Sequence, residues 1–113
     1  MNVYAVELTE SAAQDLREID RHIRFRLLEP ETASQQIERL RAAVFSLETM
    51  PERHALLVDE VLRGQGIRFI PVDNYLVFYT LYADAKRVYV LRILYARRDW
   101  RNVLTSGSYT PPA

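Results

Sequence analysis

The hydrophobic period of this chain switches from helical to two at Ile67, and that change limits the fold more than any other feature. Before it, apolar residues recur at helical spacing. Ala12, Leu16, Ile19, Ile23 and Leu27 form one series, and Ala33, Ile37, Leu40, Val44 and Leu47 form a second. Steps of three and four residues place each series on one stripe of an amphipathic helix, the first about five turns long. Pro30 ends the first helix and suits the first turn of the next. Met50-Pro51 stops the second. So short a connection predicts a helical hairpin. After Ile67 the period is two. Ile67–Val72, Tyr75–Tyr82 and Val88–Tyr95 are rich in β-branched and aromatic residues and read as three strands. Asp73-Asn74 suits a tight turn and Ala83–Lys86 a looser one, which makes an antiparallel meander. Pro71 predicts an edge position or a bulge in the first of these strands.

Val3–Leu8 alternates as a short strand, and Thr9 and Ser11 offer N-cap hydroxyls to the first helix. Residues 52–66 are polar, hold Gly64 and Gly66, and read as a loop with a short extended piece near Leu56–Val58. Arg97–Leu104 suggests a final helical turn or two. The order β-α-α-β-β-β predicts an α+β fold, an antiparallel sheet with an N-terminal helical hairpin on one face. With no further helix to cover it, the other face is expected to be partly open. Leu16, Ile19, Ile23, Ile37, Leu40 and Val44 are expected between helices and sheet, with Phe78 among the meander residues that meet them. A chain of 113 residues suits one domain, 1–104, with a mobile polar tail at 105–113.

Several chemistries are excluded. Without cysteine there is no disulfide scaffold, thiol nucleophile or cysteine zinc site. His22 and His54 lack any metal-binding spacing, so neither a metal nor another cofactor is expected. His22 falls on the polar side of its helix and reads as solvated; His54, in a loop, is a candidate base. No run approaches the ~18 apolar residues of a membrane span. The first ten residues do not resemble a signal peptide, so a cytoplasmic protein is expected.

Charge and one short segment point to a partner. Residues 1–60 carry seven Arg against twelve carboxylates, a net of −5, and residues 61–113 carry eight basic residues against three acids, a net of +5. Fourteen of the fifteen basic residues are Arg, the side chain suited to bidentate phosphate and carboxylate contacts. The basic half suggests a polyanionic partner unless the two halves simply pair across the fold. Val90–Arg101 concentrates the signal. Arg92, Arg97, Arg98 and Arg101 surround Tyr95 and Trp100 at the end of a strand, where cations fix phosphates and aromatic rings stack bases. The competing reading is that Arg92 pairs with a helix carboxylate and Trp100 closes the core. Arg68 could project from the same sheet, depending on register.

The chain also resembles toxins of the RelE/ParE superfamily of bacterial type II toxin–antitoxin modules, including proteins labelled plasmid stabilization proteins. The resemblance rests on Leu8-Thr-Glu-Ser-Ala12 with Asp15, Leu16 and Ile19, on Leu47–Arg53, on Gly66-Ile-Arg68, on Val72–Tyr79 and on Arg92–Asp99. It implies the β-α-α-β-β-β fold, a cognate antitoxin, and one of two targets. The RelE-like branch is an endoribonuclease that cleaves mRNA on the ribosome with basic and tyrosine side chains of the open sheet face. There Arg97 matches the arginine after the last strand, and Arg68 is the nearest substitute for an earlier lysine pair. A tyrosine expected near the C-terminus is Val103 here, and an arginine expected after Tyr75 is Leu76. The ParE-like branch inhibits DNA gyrase without this set. On the resemblance, Arg97 and Arg68 are the candidate catalytic residues; Arg92, Tyr95, Arg98, Trp100 and Arg101 are candidate target-binding residues. Glu60, His54 and Asp99 are candidate bases. Ribosome-dependent mRNA cleavage is the expected activity, with gyrase inhibition, or a toxin-like protein that retains only antitoxin binding, as alternatives.

Overall fold

The structure, a computed structural model, describes residues 3–59 and 62–106. The period change at Ile67 is the boundary between helices and meander. Strand β1 (Ala5–Leu8) leads into helix α1 (Glu10–Arg21), and α2 (Pro30–Phe45) returns antiparallel to it. The meander follows as β2 (Arg68–Val72), β3 (Tyr75–Tyr82) and β4 (Arg87–Tyr95), and helix α3 (Trp100–Ser106) closes the described chain. Thr9 caps α1 by accepting a bond from the Ala12 amide at 3.2 Å, and Pro30 sits in the first turn of α2.

The four strands lie in the order β1-β4-β3-β2. The meander is antiparallel as expected, and β2, with Pro71, is at the edge. The sheet as a whole is mixed, because β1 pairs with β4 in parallel. The helical hairpin and the rest of the meander intervene between these two strands, and such a long connection allows the parallel direction that a tight turn forbids.

One core lies under the helical hairpin. Leu16, Leu40, Val44 and Leu47 pack there against Val77, Tyr79, Val88, Val90 and Ile93, with Ile19 and Ile37 half-buried beside them. The first helix departs from the expected five regular turns. At His22–Arg26 the chain winds as a π-helix, with the Leu27 amide bonded to the His22 carbonyl. One extra residue per turn rotates the stripe. Ile23 stays buried while Leu27 is turned outward.

The second face, expected to be partly open, is covered over much of its area. Leu57 and Leu62 from the segment after α2, together with Leu104 of α3, bury Phe78, Tyr89, Leu91 and Leu94 in a second core. Phe78 therefore points away from the helical hairpin, because strict alternation along β3 puts it opposite Val77 and Tyr79. The 52–66 segment is more than a loop. It contributes 3-10 turns at Pro51–Arg53 and Arg63–Gln65, and Leu56 bridges to Arg68 along the β2 edge. Helix α3 continues to Ser106, so residues 105 and 106 of the expected tail at 105–113 are helical; residues 107–113 lie outside the described residues, as does Glu60.

Candidate functional site

The candidate arginines fall in four places. The first is a bulge. Phe78 pairs with Arg92 and Tyr79 with Val90, so Leu91 is an extra residue in β4. The bulge leaves backbone groups unmatched by β3, and α1 supplies their partners. Thr9 Oγ1 donates to the Leu91 carbonyl at 2.9 Å, and Asp15 Oδ2 accepts from the Ile93 amide at 2.9 Å. The same carboxylate receives Arg92 in a bidentate pair at 2.7 and 2.9 Å, with side chains only 6% (Asp15) and 18% (Arg92) exposed. This bond holds the Arg92 guanidinium above its ordinary pKa. Arg92 is thus engaged by a helix carboxylate and offers little of itself to a ligand.

The second place is Arg68. Like Ile70 and Val72 it belongs to the helix-facing side of β2. Its Nη1 donates to the carbonyls of Glu52 and His54, at 3.1 and 2.6 Å. Arg53 in turn donates to the carbonyls of Thr49 and Met50 at the end of the second helix, and the Tyr79 hydroxyl donates to the Pro51 carbonyl. Burial pushes the Tyr79 phenol up to about 12, so it remains a donor. His54 meets Tyr79 edge-on at 6.3 Å, and its Nε2 is buried without a hydrogen-bond partner. Desolvation, then Arg53 and Arg68, lower the His54 pKa below the ordinary 6.5. The unfolded chain therefore takes up this proton at higher pH than the folded one does. The His54 contribution to stability is full above pH 6.5 and is lost as the pH falls through the folded pKa. The denaturant midpoint is expected to drop as the pH falls below about 6.5, and His54→Gln to flatten part of that slope. An unchanged slope in the variant would refute the assignment.

The third place is the hairpin-turn end of the sheet, where β4 ends. Arg97 and Arg98 are exposed there, with no ion pair among the described residues, and Tyr95 meets Tyr75 edge-on at 5.8 Å. The helical hairpin diverges from this end of the sheet and leaves a cleft of about 530 Å³. Ile19, Ile23 and Ile93 line its interior; Glu18 and Glu29 stand on the helical wall and Arg98 on the sheet wall. Arg39 and Gln36 of α2 both donate to Asp73 in the adjoining turn, at 2.7 and 2.9 Å, and hold its carboxyl below the usual range. Sequence reasoning missed Tyr75, Glu18 and Glu29. The i, i+4 spacing of Glu18 and His22 beside the apolar stripe was the only signal, and it could not reveal that helices and sheet part company here.

Trp100 and Arg101 serve the second core. Trp100 packs on Phe78 at 5.3 Å, and the Arg101 guanidinium lies over the indole at 4.7 Å while pairing with Asp59. Asp99 accepts a bond from the Asn102 amide at the start of α3. The register also separates the two candidate catalytic arginines. Arg68 pairs with Tyr79, Tyr95 pairs with Tyr75, and β2 and β4 lie on opposite sides of β3. Four ladder positions and two strand spacings put roughly 16 Å between the Arg68 and Tyr95 backbones. Among the described residues no cluster of His, Asp or Glu could hold a metal.

With this geometry in hand, residues 6–100 match the family described as ParE toxin of the type II toxin–antitoxin system, parDE. The chain belongs to the ParE toxin family. Solved structures share the fold. The chromosomal ParDE system of P. aeruginosa superimposes with a TM-score of 0.70 at 22% identity, over 86% of this chain and 100% of that one. The RelBE2 toxin–antitoxin complex of Mycobacterium tuberculosis gives 0.59 at 20% identity, over 82% and 98%. An arginine double mutant of E. coli RelE in the free state gives 0.63 at 14% identity, over 92% and 97%. None of the curated proteins matches. This ParE-family chain is thus a toxin of a type II toxin–antitoxin system. No helix among its described residues is long and apolar enough to cross a membrane.

Proposed function

We propose that this toxin arrests growth by binding DNA gyrase in the cytoplasm, without cleaving RNA, and is masked until then by an acidic, amphipathic antitoxin that folds over its sheet and helices. The separation of Arg68 from Arg97 carries the reading. Attack of a ribose 2′-hydroxyl on the next phosphate needs a base, an acid and charge stabilisation converging on one phosphorus. Here the Arg68 guanidinium is held by two backbone carbonyls on the opposite side of β3 from the end of β4, and is not free to join Arg97 on one phosphate. Leu76 and Val103 stand where the nuclease branch carries an arginine and a tyrosine. Membership of the ParE family points the same way.

One observation favours the nuclease as a second reading. His54 has a buried, unpartnered Nε2 and a depressed pKa beside Arg68, the makings of a general base. That nitrogen is sealed from solvent, so a substrate hydroxyl would reach it only after residues 51–57 lift from the sheet. Mapping mRNA 5′ ends after induction tests the proposal. Wild type and Arg97→Ala are both expected to leave transcripts uncut while a DNA-damage response is induced. Codon-phased ends that vanish in Arg97→Ala would overturn it. Co-expression with the product of the adjacent gene should relieve arrest and raise yield.

A further inference from the structure

The hairpin end of the fold carries a knob and a hole side by side. The π-helix and the turn after it hold Phe25, Leu27 and Leu28 outward, 66%, 52% and 78% exposed, with Leu28 in the left-handed region at φ 56°. A bulky residue at positive φ, exposed to water, is doubly unfavourable in an isolated molecule. Beside this tip opens the cleft described above, apolar inside and of opposite charge on its two walls. Glu18 accepts a bond from Gln14 at 3.0 Å, but Glu18 and Glu29 form no ion pair with Arg98 across the opening. The cleft therefore suits a guest with an apolar centre, a cation toward the helices and an anion toward the sheet.

The tip itself has that composition. Residues 25–31 read Phe-Arg-Leu-Leu-Glu-Pro-Glu, three exposed apolar side chains flanked by Arg26 and by Glu29 and Glu31. Tip and mouth also share residues, since Leu27 and Glu29 belong to both. A surface that carries knob and complementary hole in one patch satisfies the condition for an isologous two-fold contact, in which each copy gives what it receives. We propose that a second copy of this chain docks here, the Leu27–Leu28 tip of each entering the cleft of the other, with Glu29 of one copy against Arg98 of its partner. The charge asymmetry, −5 in the first half and +5 in the second, agrees with self-association of a chain with no net charge.

Sedimentation equilibrium of the purified toxin over a range of concentrations tests this. Wild type is expected to show a reversible monomer–dimer equilibrium that weakens with added salt. Leu28→Glu should be monomeric with an unchanged melting temperature, because the side chain is exposed. Glu29→Arg and Arg98→Glu should each lower the dimer fraction, and the double variant, which exchanges the partners, should restore it. A wild-type protein that stays monomeric throughout overturns the proposal; so does a double variant no better than the single ones. If the cleft instead receives an antitoxin segment, wild type alone is monomeric and Leu28→Glu loses co-purification of the adjacent gene product, which also overturns it.

Discussion

Asp15→Ala is expected to destabilise the fold by about 3–5 kcal/mol, the cost of leaving a buried charge without its partner. The carboxylate accepts both prongs of Arg92 and the Ile93 amide, and its removal strands all three donors where water reaches them poorly. It also releases α1 from the β4 bulge, since only Thr9 would then bind the irregular backbone. Asp15→Asn, which keeps an acceptor but loses the charge, should cost less. Urea denaturation of the two variants checks the assignment. Near-wild-type stability in Asp15→Ala would show that the pair is peripheral.

Phe78→Ala is the second large effect, expected to cost about 3–5 kcal/mol from lost burial and the cavity left behind. Phe78 is fully buried, and α3 and the segment after α2 converge on it. Trp100, the sole tryptophan, rests on its ring, so fluorescence reports locally. The variant should melt well below wild type, with indole emission shifted to the red. An unshifted spectrum and an unchanged melting temperature would mean that this face of the sheet is not a core.

Phe78 also shows what the sequence could and could not convey. Its place on β3 and the helical hairpin were legible because each rests on a hydrophobic period, and periods are local. Which face Phe78 serves was not legible. That depends on residues 56–67 folding back, and their few apolar anchors, Leu57, Leu62 and Ile67, are spaced by neither a helical nor a strand rule. The bulge was equally hidden. One extra residue at Leu91 alters the side-chain alternation beyond Val90 and brings Arg92 to Asp15, 77 positions away. Of the candidate site, the exposure of Arg97 and Arg98 followed from their position just after a strand. The distance from Arg68 to Arg97 required the strand order, which no pattern along the chain encodes. The cleft arises from the divergence of two packed layers, a property of neither alone.

The proposed binding of gyrase can be observed without cells. Supercoiling of relaxed plasmid by purified gyrase, titrated with the purified toxin in the absence of RNA, tests it most directly. Progressive loss of supercoiling is expected as toxin is added, with recovery when the adjacent gene product is supplied. Full supercoiling at a large molar excess of toxin would contradict it.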